Sequence, residues 1–312
     1  MKKQTKLLIK FLASFLLVFY LAAEVDWGEL TRSFVNVNII DYVISAGFAV
    51  VVSCTLAQKY YVLLKGSNIN KTFSSLLKIN FISRFYALFL PSAVGREAVR
   101  WLKVTKNKTG RSFFFFTIVY ERMTSFIVIL LFGILPLYSQ SIYPEAVETL
   151  KVKLLPLLIT MIFAALSFLI LYISMDLRVK LKSILEKIFP VNIIEKLFNK
   201  VPEGHITVDT FFLIILFSVL GQLFFITRMF FLFKALALPL SIIEAAWIAS
   251  VTLLLQILPI SFAGLGIREG ALAYIFLLLG LSPEKGIVVG GLFFSQMVLL
   301  ASFGAVLNYF DE

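Results

Sequence analysis

The 312-residue chain has one cysteine and one histidine, and only 15% of its residues are charged. A single cysteine, Cys54, rules out an intrachain disulfide, and with one histidine, His205, it leaves no His/Cys metal centre. A Cys-His catalytic pair is equally implausible, because Cys54 falls in an apolar run and His205 in a basic loop. No Walker sequence is present, and Gly264-Leu265-Gly266 with Gly270 lacks the spacing and the βαβ setting of a dinucleotide fingerprint. No cofactor is therefore expected. The low charge excludes an ordinary soluble domain, which keeps roughly a quarter of its residues charged.

Apolar residues make up 60% of the chain, and mean hydropathy is +0.95. Several apolar runs exceed the ~18 residues that cross a ~30 Å hydrocarbon layer as a helix. The ~10-residue alternating segments of a β-barrel are absent. The fold class expected is all-α and polytopic in the membrane, a single transmembrane domain over 1–312. The net charge of +11 sits mainly in short loops, which marks cytoplasmic loops rather than a nucleic-acid surface.

Reading spans and flanking charges together gives an order. A first span, about 7–23, follows the basic Met1–Lys10 segment and is read as retained rather than cleaved. Span 2 covers about 39–64 and reaches a cytoplasmic loop assigned Lys59, Lys65 and Lys71. The region about 79–102 has basic flanks on both sides and is broken by Pro91-Ser92 and Gly95. Pieces of 11–12 residues do not span alone, so a re-entrant hairpin is expected. Spans follow at about 112–138 and 154–175, then an amphipathic interfacial helix at about 176–189. Span 5 covers about 210–234. A second broken region, about 242–281, precedes span 6 at about 286–309. The total is six full spans plus two re-entrant helical hairpins, or eight spans if the hairpin arms cross. Both termini are placed in the cytoplasm, and the membrane is expected to be the cytoplasmic (inner) one.

The two breaks read LPSAVGREAVR and LPISFAGLGIREGAL. Each has Leu-Pro, a serine, glycine and Arg-Glu before a half-helix. The order span, span, broken hairpin, span also occurs twice, once starting inside and once outside. An inverted repeat with halves of about 1–145 and 146–312 is therefore expected, with paired hairpins meeting near the midplane. The competing reading is that Pro and Gly only kink ordinary spans.

Arginine in hydrocarbon costs ~2.5–3.5 kcal/mol on translocon scales, so Arg96 and Arg268 must face a cavity, a partner or a ligand. Each lies just inside a half-helix, where free N–H groups favour an anion, and Gly95, Gly264 and Gly266 would let it approach the backbone. Guanidinium matches phosphate in a bidentate fork. Glu97 and Glu269 have three readings: counter-ions to the arginines, carriers of a coupling proton, or contacts to a cationic headgroup. The plainest alternative is a structural Arg–Glu pair across the hairpins. Span 3 adds Glu121-Arg122 about ten residues in; Gln296 lies at similar depth in span 6. Arg84, Arg228 and Gln222 are further intramembrane polar groups, and Arg100 extends the face of Arg96.

These motifs resemble those of the lysylphosphatidylglycerol synthase transmembrane-region family of flippase-like proteins, over essentially the whole chain. The resemblance implies lipid translocation across the cytoplasmic membrane, with a lipid of anionic headgroup as partner. It places the headgroup site at Pro91, Ser92, Gly95, Arg96, Glu97, Arg100, Glu121, Arg122, Pro259, Gly264, Gly266, Arg268 and Glu269. Ala263 stands where a more glycine-rich stretch is expected. With no aminoacyltransferase domain before Glu312, synthesis of lysyl lipid is not expected. The rivals are an integral-membrane transferase with Glu121 or Glu97 as base, and a non-catalytic scaffold of the cell envelope.

Overall fold

In the computed structural model, residues 27–65, 69, 71–90, 93–105, 111–139, 152, 155, 156, 159, 208–257 and 264–310 are described below. Expectations for 7–23, for most of 154–175, for the interfacial helix at 176–189, and for Pro91, Ser92, Pro259 and His205 lie outside these residues. The described chain is helical throughout: α1 (Trp27–Val35), α2 (Ile39–Leu64), α3 (Phe73–Ala87), α4 (Ala93–Val104), α5 (Arg111–Ser139), α6 (Val208–Ala235), α7 (Ile242–Ile257), α8 (Ile267–Leu278) and α9 (Pro283–Tyr309). Among the described residues, α2, α5, α6 and α9 contain stretches long and apolar enough to cross a membrane. The chain is an all-α polytopic membrane protein.

Local chemistry sets the helix ends. Asn38 starts α2, its side chain accepting from the Ile40 and Asp41 amides, and Thr72 does the same for Ser75 at α3. Ser241 and Glu244 form a reciprocal box at α7: Glu244 Oε2 accepts from the Ser241 amide at 2.7 Å, and Ser241 Oγ accepts from the Glu244 amide at 3.3 Å. Pro283 occupies the first turn of α9, where its missing N–H costs nothing. The two broken regions are broken in the structure: α3 and α4 are short helices either side of 88–92, and α7 and α8 are short helices either side of 258–266.

One helix was not expected. The segment 27–35, between the first two expected spans, forms α1 and packs on α9. Its Phe34 ring fills the space beside Gly291.

α2 and α6 form the central pair. They run antiparallel, since the Asn38 amide at the start of α2 donates to the Ala235 carbonyl at the end of α6. Around them the contacts cross over: α3 packs on α9, α7 packs on α5, α4 on α3 and α5, and α8 on α7 and α9. The largest apolar cluster joins α6, α7, α8 and α9 around Trp247, Phe233, Phe276 and Phe293. A second gathers Tyr60, Leu64, Leu76 and Phe114 beneath α3. Gly286 and Gly290 serve this in-chain packing: a Cβ at Gly286 would lie 2.7 Å from the Ala273 amide of α8, and one at Gly290 would lie 2.8 Å from Glu269 Cγ. Their spacing, four residues apart on one helix face, therefore serves close packing within the chain.

Candidate functional site

Two polar centres interrupt the apolar interior, one under each broken region. The first is built around the Glu97 carboxylate on α4. Arg100, one turn further on, and Arg122 from α5 both donate to it, and Arg96 Nε lies 3.5 Å from it. The helical spacing of three puts Glu97 and Arg100 on one face, and α5 brings Glu121-Arg122 against them. Arg100 continues inward, donating to Tyr60 Oη and Asn80 Oδ1, each at 2.9 Å, while its guanidinium lies 4.6 Å from the Tyr60 ring centroid. Tyr60 Oη is 3.3 Å from both Glu97 Oε2 and Glu121 Oε2, so its single proton joins the two carboxylates.

Glu121 has its own cation. Lys59 Nζ donates to Glu121 Oε1 at 2.9 Å and to Ser125 Oγ at 2.7 Å, both ionic side chains being almost fully buried. This corrects the assignment of Lys59 to a cytoplasmic loop. The helix continues past it to Leu64, so the lysine is buried where it looked like a flanking charge. A buried pair of this kind is costly to break on one side only. Lys59→Met is therefore expected to lower the unfolding temperature more than Lys59→Met combined with Glu121→Leu. A double-mutant cycle on the purified protein in detergent measures this, and additive losses would refute the coupling.

The second centre is Arg268 and Glu269 at the start of α8. Arg268 is fully buried and forks onto Glu269 Oε1, with Nε at 3.0 Å. Its guanidinium also meets Met297 Sδ at 3.4 Å and the Phe293 ring, 4.7 Å to the centroid. Glu269 Oε2 accepts from the Gly266 amide at 2.7 Å. Gly264 and Gly266 both have positive φ, +78° and +81°, a turn that a side-chain-bearing residue resists. The glycines thus expose a backbone N–H as the sequence suggests, and in this conformation the protein's own carboxylate occupies it. Gly95 has a different neighbour: the space of its missing Cβ is taken by the Leu90 side chain, 2.5 Å away.

Arg228 on α6 completes the second centre. Its Nε donates to Gln296 Oε1 at 2.8 Å, and it stacks 3.8 Å from the Phe293 ring centroid. Among the described residues, its remaining partner is the Phe293 carbonyl at 3.5 Å. None of these is an anion.

Arg84 on α3 is within electrostatic reach of both centres. It interacts with Arg96, Arg100 and the Glu97 carboxylate of the first and with Arg228 of the second. Its Nε is buried without a hydrogen-bond partner among the described residues. Among the described residues in and around the two centres, Lys59, Arg84, Arg96, Arg100, Arg122, Arg228 and Arg268 face three carboxylates, Glu97, Glu121 and Glu269. Four positive charges are left over.

The separation of the centres follows from α2. Ser45 donates to the Arg228 carbonyl at 2.9 Å, whereas Lys59, 14 residues further along α2, belongs to the first centre. At 1.5 Å per residue that is ~21 Å along the helix axis. Access also differs. The Arg122 and Arg96 side chains are 37% and 26% exposed, while Arg268 is sealed.

The match to known families is nearly complete in length: residues 7–303 fit the Lysylphosphatidylglycerol synthase TM region. The chain belongs to this family. Comparison with curated proteins and with solved structures finds no match. The family is one of membrane regions associated with lipid handling, and both Arg-Glu motifs of this member fall within the matched residues.

Of the residues expected at the site, the structure gathers Arg96, Glu97, Arg100, Glu121 and Arg122 into one centre. It places Gly264, Gly266, Arg268 and Glu269 in the other. Lys59, Tyr60 and Asn80 were not anticipated. Only the lysine left a trace in the sequence, as a cation five residues before the end of a span-length apolar run.

Proposed function

We propose that the protein translocates a lipid with an anionic headgroup across the cytoplasmic membrane, the headgroup passing between the two cationic centres while the chains stay in the bilayer. The observation that carries this reading is the surplus of positive charge over carboxylate in the two centres among the described residues, with Arg100, Arg228, Arg268 and Lys59 buried. It is divided between centres ~21 Å apart along α2, with Arg84 interacting electrostatically with both. Charge without a counter-ion is expensive at this depth, and a phosphate group is the guest that guanidinium forks fit.

An inverted repeat supports the alternating-access form of the proposal. Exchanging α2 with α6, α3 with α7, α4 with α8 and α5 with α9 maps the helix contacts onto one another, α3 on α9 becoming α7 on α5. Lys59 and Arg228 are both the twenty-first residue of their helices, and they bond Glu121 and Gln296 on the matching helices. With both termini cytoplasmic, the first centre lies towards the inner leaflet and the second towards the outer. The partial exposure of Arg96 and Arg122 then corresponds to a conformation open on the inner side.

The protein reconstituted in vesicles should flip labelled phosphatidic acid faster than a lysyl-esterified phosphatidylglycerol, because a net cationic headgroup adds to the surplus charge instead of relieving it. Arg96→Ala and Arg268→Ala are each expected to slow translocation tenfold or more, roughly the loss of one charge-assisted contact, with the lipid chemically unchanged. Chemically altered lipid would point to a transferase. Unchanged rates in both variants would remove the site from the mechanism.

A further inference from the structure

The lipid reading leaves open where the lipid's chains go, and a groove beside Arg228 bears on this. Between α2 and α9 lies a cavity of about 360 Å³. Its walls are Val43, Gly47 and Val50 from α2 and Leu299 and Leu300 from α9. Val43, Val50 and Leu299 are exposed, so the groove opens on the outer surface of the described helices. The one polar side chain in its lining is Gln296, buried at 1% exposure, whose Oε1 accepts the Arg228 Nε–H. An apolar slot open on that surface thus ends one side chain away from a buried cation whose described partners include no anion.

A cation in hydrocarbon calls for an anion, and an apolar slot calls for a hydrocarbon chain. One molecule supplies both when it is an anionic amphiphile. We propose that the α2–α9 groove seats one acyl or prenyl chain of the lipid whose anionic head is held at Arg228, with Gln296 as the partition between chain and head. The remaining Gln296 contacts suit that role. Its Nε2 donates to Ser45 Oγ at 3.1 Å and to the Tyr42 carbonyl at 3.4 Å, which fixes the amide plane across the end of the groove. The proposal rests on the lipid reading and adds a chain-binding subsite to it.

Gly47 provides the test. A Cβ built there meets nothing within 4 Å, and replacing a mid-helix glycine raises helix propensity. Gly47→Leu should therefore fold and fill the groove, while Gly47→Ala leaves most of it open. The full chain is reconstituted in vesicles of phosphatidylcholine doped with phosphatidic acid carrying a photoactivatable group in one acyl chain, and the cross-linked peptides are mapped. Adducts are expected on residues 43–50 and 296–300. Gly47→Leu should reduce them about tenfold, since displacing two buried methylenes is enough for that, and Gly47→Ala should leave them close to the unaltered level. Arg228→Gln should also reduce them, whereas labelling by a photoactivatable phosphatidylcholine should not respond to it.

Adducts spread evenly over the exposed apolar faces of α2, α5 and α6, or left unchanged by Gly47→Leu, would mean ordinary boundary lipid and overturn the proposal. Groove labelling that ignores Arg228→Gln would overturn the assignment of the head. Labelling that follows the expected pattern in a protein that flips no lipid would refute the transport reading and leave the chain site standing.

Discussion

Glu97→Gln is expected to be the most damaging single change to the polar interior. The variant keeps the shape of the side chain and removes the one charge that Arg96, Arg100 and Arg122 share. Gln offers one acceptor oxygen in place of two, and its amide group would point N–H at a guanidinium. Removing one partner of a buried ionic network typically costs about 3–5 kcal/mol. For a chain of this size that lowers the unfolding temperature by roughly 10 °C, readable by thermal unfolding in detergent. Added phosphatidic acid should recover part of the loss, because a lipid phosphate can stand in for the missing carboxylate. Glu269→Gln should cost less, since Glu269 serves a single arginine and the Gly266 amide. An unfolding temperature unmoved by Glu97→Gln would show that the network is solvated in a way its burial does not suggest.

Gly304→Leu is expected to prevent folding altogether. A Cβ at Gly304 would lie 2.1 Å from the Phe81 carbonyl oxygen and 2.6 Å from its carbon. These are backbone atoms of α3 and cannot swing aside, so α9 would have to move away along its whole contact with the first broken region. That movement would open the edge-to-face contact of Phe81 with Phe303, whose centroids are 5.2 Å apart. The loss outweighs the ~1 kcal/mol that replacing a helical glycine returns. The measurement is the monodisperse fraction after membrane extraction and size-exclusion chromatography. Gly47→Leu serves as the matched control, being the same substitution in open space. A normal elution profile for Gly304→Leu would mean that α3 and α9 do not pack this closely.

The long helices were legible because a bilayer leaves few options: α2, α5, α6 and α9 each end within a few residues of the apolar runs that foretold them. The breaks before α4 and α8 were legible through Pro91, Pro259 and Gly264, which interrupt apolar segments too short to span, whereas Gly95, also read as part of the first break, lies inside α4. Within the first centre, local spacing set Arg100 on the face of Arg96, and the structure pairs it with Glu97 three residues away. It could not reveal Asn80, which reaches Arg100 from another helix, or Tyr60, which looks like one more aromatic in an apolar run. Lys59 was misplaced for a physical reason. A cation near the end of a span serves equally as an anchor at the interface or as a buried partner, and only Glu121 across the gap decides between them. The α1 helix escaped because what it packs on is α9, a partner distant in sequence, with Leu30 set against the core.

The Glu269 carboxylate on the Gly266 amide has a kinetic meaning. In the transport we propose, an anion arriving there displaces a resident carboxylate and does not fill an empty charged hole. Arrival and departure are then a swap between two similar occupants. Such a swap would keep the loaded and unloaded protein close in free energy, so that cargo is released readily instead of stored. The tightness of the turn made by Gly264 and Gly266 is then a setting for how briefly the site holds on.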